Sequence, residues 1–253
     1  IPGLSIALGL TFPGAISIYK FGAAQDIDSG DTPTTIWDGL DNGGNALYAY
    51  SSSANIDQVV STDAADTGNI EIQGLDINWN WTVQTVKLDG LSAVTLSKPL
   101  IRIFRIKNDN SSDFVGDIIA YVNGGNPAAP NDVRAIVPAS EGNNQTEMAI
   151  FTTPSDYTTL LLNTYENVSR ATTTGTKEAD VKFYFRNEGK VFRLQDTRGI
   201  NNIGTGNIER PYHVPNLIPP RTDIEWRCTS VSASNTQINA GFELLMIPNS
   251  LLA

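Results

Sequence analysis

The chain is poor in the side chains that nucleophilic enzymes and nucleic-acid binders rely on. Its 253 residues include one cysteine, Cys228, and one histidine, His213. A lone cysteine excludes an intrachain disulfide and a cysteine metal cluster, so packing and assembly must supply the stability. Cys228 lies in DIEWRCTSV, a strand pattern, and reads as a small buried hydrophobe. His213 lies in RPYHVP, and no G-x-S-x-G elbow holds a serine, so no Ser-His-Asp triad is expected. A Cys228–His213 couple is the one nucleophilic pair that this composition leaves open.

Charge is scarce as well. Asp, Glu, Lys and Arg make up 17% of the chain, against roughly 25% in typical soluble domains. Lys and Arg number 17 and Asp and Glu 27, a net charge of −10. Such a surface repels a phosphate backbone, and the most basic stretch, Arg186 to Arg198, is interrupted by Glu188 and Asp196. Nucleic acid is therefore not an expected partner. Nor is a membrane, because no run approaches the ~20 apolar residues of a spanning helix. The most apolar stretch, IPGLSIALGLTFPGAISIY at the start, is cut by Pro2, Pro13 and three glycines and lacks the basic start of a signal peptide. It reads as an extended N-terminal arm, residues 1–33, that packs on this domain or on a neighbouring subunit. Leu4, Ile6, Leu8, Leu10 and Phe12 are its candidate contacts.

What is present is strand after strand. Hydrophobic residues are 40% of the chain, enough for a real core. No window of helical length holds an apolar stripe free of Gly and Pro. Short runs rich in Val, Ile, Thr and aromatics recur about every ten residues, bounded by Gly, Asn, Asp or Pro. They cover 56–61, 69–73, 82–88, 100–107, 115–122, 133–138, 147–152, 159–164, 179–186, 190–194, 222–229 and 240–247. The fold class that follows is all-β, an antiparallel sandwich of jelly-roll type. The Gly/Pro-rich stretch at 124–130 divides it into lobes at 34–123 and 131–253, unless both halves form one continuous sandwich. In ADVKFYFRN, Val181, Phe183 and Phe185 share one face. In TDIEWRCTS, Ile224, Trp226 and Cys228 face one way, and Asp223, Glu225 and Arg227 are expected to face solvent. LIRIFRI, 100–106, is apolar on both faces apart from Arg102 and Arg105, so it is central or covered on its second side.

Several constellations invite chemistry. DIDSGD, Asp26 to Asp31, followed by Asp38, Asp41, Asn42 and Asn45, offers oxygens of the kind calcium takes. The EF-hand spacing fails there, and Asx turns with glycine account for the composition, so no metal or other cofactor is expected. Glu225 or Asp223 with Glu243 is the carboxylate pair available for glycoside hydrolysis. Trp79 and Trp81 in NWNWT alternate with polar residues and could stack a sugar. GINNIGTGNIE lacks the strand-to-helix setting of a phosphate loop. In TTIWDGLDNGGNALYAY, 34–50, Trp37 and Tyr48 or Tyr50 are expected to anchor a hairpin tipped by Asp38 to Asn45.

TTIWDGLDNGGNALYAYSSSANIDQVVSTDAADTGNIEIQGLD resembles a segment of virion structural proteins of tailed bacteriophages, particularly marine ones. These pair an I-W-D-G opening with a V-V-S-x-x-A-x-D-T-G-x-x-x-I-x-G-L-D run. VKLDGLSAVTLSKPLIRIFRIK is similar to the family's strand pair and arginine-bearing strand. IVPASEGNNQTEMAIFTTP and PPRTDIEWRCTSVSASNTQINAGFELLMI resemble its later steps. The resemblance covers about residues 34–248. It implies a non-enzymatic virion protein, first a capsid decoration (cement) protein, second a tail or neck component. It also implies a homo-oligomer, commonly a trimer, whose partner is the major capsid protein or another virion protein. Trp37, Asp38, Asp41 and Asn42, together with the arm, are the expected interface residues. The competing classes are a carbohydrate-binding host-receptor module using Trp79 and Trp81, and a β-sandwich hydrolase using the paired carboxylates.

Overall fold

A computed structural model describes residues 13–39, 44–122, 126–170, 176–203 and 206–252. Short β-branched and aromatic runs closed by turn residues become strands almost everywhere. In chain order these are β1 (Ile16–Ile27), β2 (Thr34–Thr35), β3 (Ile56–Ser61), β4 (Asn69–Leu75), β5 (Trp81–Lys87), β6 (Val94–Leu100), β7 (Arg102–Asn108) and β8 (Ile118–Val122). There follow β9 (Val133–Val137), β10 (Ile150–Thr152), β11 (Tyr157–Arg170), β12 (Glu178–Asn187), β13 (Arg193–Asn201), β14 (Asn207–Ile218), β15 (Thr222–Val231) and β16 (Thr236–Pro248). Among the described residues the only helical elements are two 3₁₀ turns, Ala139–Glu141 and Asn249–Leu251, and no helix is long and apolar enough to cross a membrane.

Antiparallel pairing builds four sheets that pack as two sandwiches. In the first, β6-β3-β8-β9 covers β5-β4-β7, and Ile56, Val59, Ile72, Ile103, Ile118 and Val137 meet in one core. In the second, β1-β16-β11-β14 covers β10-β15-β12-β13, with β2 added to β15. Its core includes Ile27, Phe151, Phe183, Trp226, Ile238 and Phe242. The all-β sandwich class read from the sequence is therefore the observed one.

The division of the chain differs from the expected one. β8 and β9 flank the Gly/Pro-rich stretch yet pair with each other, Ile118 opposite Val137 and Ala120 opposite Ala135. Turn residues mark where a strand stops, not which sheet the next one joins. Residues 56–137 make the first sandwich, and the second draws on two separated pieces, 16–35 and 150–248. The expected arm is also corrected. Its residues 16–27 form β1, which pairs with β16 from Ile16 opposite Met246 to Ile27 opposite Thr236. Even-numbered residues of β1 turn inward from Ile18 to Ala24, and Gly22 is needed there: a Cβ would lie 2.2 Å from the Ala149 nitrogen and 2.7 Å from the Ile36 oxygen. Leu4, Ile6, Leu8, Leu10 and Phe12 lie outside the described residues.

β7 separates the two cores. Ile103 and Ile106 enter the first and Phe104 the second, alongside neighbouring Ile101. Its second apolar face is covered by the chain's own second sandwich. Besides β1, two strands escaped the sequence reading, β6 and β14. β14 carries Pro211 and Pro215, which argue against a central strand but are tolerated at a sheet edge, where β14 sits.

Candidate functional site

The segment that opens the second sandwich folds as a pinned loop rather than a strand ladder. β2 has only two residues. Thr35 N–H donates to the Ala46 carbonyl at 2.8 Å, and Trp37 Nε1–H donates to the Asn45 carbonyl at 3.1 Å. The expected anchors meet: Trp37 and Tyr48 pack edge to face with centroids 5.0 Å apart, and Tyr48 and Tyr50 do likewise at 4.8 Å. Gly39 is required because a Cβ would fall 1.9 Å from the Trp37 ring. Trp37 and Asp38 are 1% and 2% exposed. They therefore build the interior of this chain rather than the surface expected to meet a partner. Asp41 and Asn42 lie outside the described residues.

Asp38 has different company from that expected. The early acidic stretch makes a local turn and one long-range tie: Asp28 N–H donates to Asp31 Oδ2 at 2.8 Å, and Asn235 N–H donates to Asp28 Oδ1 at 2.9 Å. Asp38 instead gathers with Glu141 and Glu147, carboxylate oxygens of all three lying within 4.8 Å of one another. Glu147 N–H donates to Asp38 Oδ2 at 2.6 Å, and the Asn143 amide bridges Glu141 and Glu147. Burial, with Glu147 and Glu141 beside it, pushes Asp38 up to about 9. Nearby Lys20, buried and donating to the Phe104 carbonyl, is held well below its usual value by desolvation and Arg105. Three carboxylates are a partial donor set for a divalent cation, which takes six to eight oxygens if it is calcium. Glu141 and Glu147 come from a distant loop, and no local spacing in the sequence announces them.

The strongest polar constellation lies where the sandwiches meet. Asp223 and Glu225 on β15, expected to face solvent, are 1% and 0% exposed. The face of β15 opposite its core is met by Arg102 of the first sandwich, by Thr35 of β2 and by Tyr50 of the segment that follows it. Arg102 of β7 reaches across, its Nε donating to Asp223 Oδ1 at 2.8 Å and Nη2 to Oδ2 at 3.2 Å. Its Nη1 donates to the carbonyls of Ser51 at 2.6 Å and Ile101 at 2.8 Å, and its guanidinium lies 4.9 Å from the Trp79 ring centroid. Arg186 of β12 shares the same carboxylate, Nε and Nη2 donating to Asp223 Oδ2 at 2.9 and 2.6 Å. Glu225 pairs with Arg227 and accepts from Tyr50 Oη at 3.1 Å. Burial outweighs those partners and raises Glu225 to about 7.

The remaining sequence candidates are not assembled. Ile224 and Trp226 point into the second core, as do Phe242 and Leu244, so Glu225 and Glu243 leave opposite faces of the sandwich. Two sheets about 10 Å apart separate these carboxylates. They cannot flank one glycosidic bond. Cys228 is buried, its thiol pushed up to about 12, while His213 is exposed on β14. Trp79 and Trp81 line different clefts, Trp79 beneath Arg102 and Arg221, Trp81 stacked on Phe104. They form no common sugar platform.

Exposed apolar side chains occur on β13, β14 and the loop before β13, among other places. Val191, Leu194, Val214 and Leu217 are 76%, 51%, 82% and 62% exposed. β14 bulges there: Pro211 faces Asn163 and Asn216 faces Leu161, so Tyr212–Pro215 stand opposite the single residue Leu162. Neither protein-family models nor curated protein sequences give a match to this chain.

Proposed function

We propose that the chain is a non-enzymatic virion structural protein of a tailed phage. Its role on this reading is a capsid decoration protein that stabilises the shell through contacts with the major capsid protein and with further copies of itself. The observation that carries the proposal is where the phage-like sequence words fall. I-W-D-G supplies Ile36 and Trp37, one in each core, and Gly39, which seats the indole. T-D-I-E supplies Asp223 and Glu225 at the seam. A-G-F supplies Gly241, where a Cβ would lie 2.3 Å from the Lys20 carbonyl. These words specify a rigid double sandwich rather than a reactive cleft. The outer apolar residues of β13 and β14 are then left to partners.

The test has two parts. Sedimentation of the purified chain, with and without residues 1–12, should give a trimer that depends on that segment. Added to tailed-phage capsids that lack it, the chain should bind saturably and raise the temperature of genome release. A monomer indifferent to residues 1–12 that leaves capsid stability unchanged would overturn the proposal. Saturable glycan binding by that monomer would favour the host-receptor reading.

A further inference from the structure

At the outer mouth of the seam lies a cleft of ≈ 270 Å³ lined by Tyr50, Trp79, Arg102, Arg186, Lys190 and Asp223 among others. Its electrostatics oppose those of the chain. Asp223 is bonded to two arginines, Arg102 and Arg186, which leaves one positive charge over. Glu188 at the rim is already paired with Arg221 at 3.1 Å. Lys190, exposed on the β12–β13 turn, adds a second positive charge, and its ammonium has no hydrogen bond or ion pair among the described residues. Four cations thus stand against two carboxylates on a chain of net charge −10.

Arg186 is also held in place. Its guanidinium rests 4.5 Å from the Tyr50 centroid and 4.4 Å from that of Phe192. Nε and Nη2 are fixed on Asp223, while Nη1 donates to nothing among the described residues and the side chain remains 26% exposed. A preset donor beside an exposed ammonium in a partly desolvated cleft is the arrangement that captures a small oxyanion. We propose that this cleft binds an oxyanion of carboxylate or phosphate size, between Arg186 Nη1 and Lys190. The inference rests on the cleft alone and is independent of the virion role.

The experiment is a titration of the full chain with sodium phosphate and with sodium succinate, each against sodium chloride at matched ionic strength. It is followed by NMR of the Arg186 Nε–Hε group and the amides of residues 187–191. Saturable shifts confined to this turn are expected, and which of the two anions binds more tightly identifies the source chemistry. Lys190→Ala, an exposed change that touches no fold contact, should weaken binding about tenfold, the loss of one charge-assisted hydrogen bond. Three results would each overturn the site: no saturable shift, an equal response to chloride, or an unchanged affinity in Lys190→Ala.

Discussion

Glu166 on β11 is 0% exposed, paired through Oε1 with Arg198, while Oε2 has no hydrogen-bond partner among the described residues. Burial raises it to about 7, against the pull of Arg198, with Asp196 adding to the rise. Glu225 stands at a similar value for the same reason. A carboxyl whose folded value lies above the unfolded one, about 4.3, contributes stability below that unfolded value and loses it as pH rises to the folded one. Unfolding in urea should therefore show a midpoint that falls between pH 5 and pH 7.5. Glu166→Gln should flatten that slope, whatever its effect on the absolute midpoint, and an unaltered slope would refute the assignment. Asp223 answers to a different rule. Asp223→Ala would leave Arg102 buried without its carboxylate, a cost of about 3–5 kcal/mol by analogy with broken buried pairs. Equilibrium denaturation would measure it directly.

Among elements, β1 carries the sharpest consequence. It covers β16 along its whole length and sends Ile18, Ala24 and Ile27 into the second core. Removing residues 1–12 should leave the circular dichroism of the chain nearly unchanged, whereas removing 1–27 should abolish folding of the second sandwich. A cut at residue 20 would confuse arm with strand. β1 was hard to read because Lys20 and Gly22 occupy two of its inward positions, which breaks the apolar alternation. The strand class itself was legible, as in β12, where Val181 and Phe183 turn inward on a strict period of two. β15 misled for the opposite reason. Asp223 and Glu225 alternate with core residues as solvent-facing carboxylates would, and only Arg102 of the other sandwich and Tyr50, packed against that face, turn them into interior groups. No local pattern encodes a partner that lies more than a hundred residues away. Glu141 and Glu147 were invisible beside Asp38 for the same reason.

For the whole molecule, the seam predicts a single cooperative unfolding transition. β7 contributes to both cores, and Arg102, Asp223, Thr152 and Ser51 join the sandwiches through buried hydrogen bonds. Calorimetry should give one peak for the native chain and two for Asp223→Ala, as each sandwich then melts on its own. One peak for both would mean that the apolar contacts of β7 suffice for coupling. The pairing of β1 with β16 has a mechanical consequence. Ile16 lies opposite Met246, so the first strand enters and the last strand leaves at the same end of one sheet. A pull applied between those two ends would peel the pair open one hydrogen bond at a time, the weakest way to load a sheet. A pull applied across β7 and β15 would strain the Arg102–Asp223 contacts together. A molecule wired this way withstands tension through its flanks and yields to it through its tails.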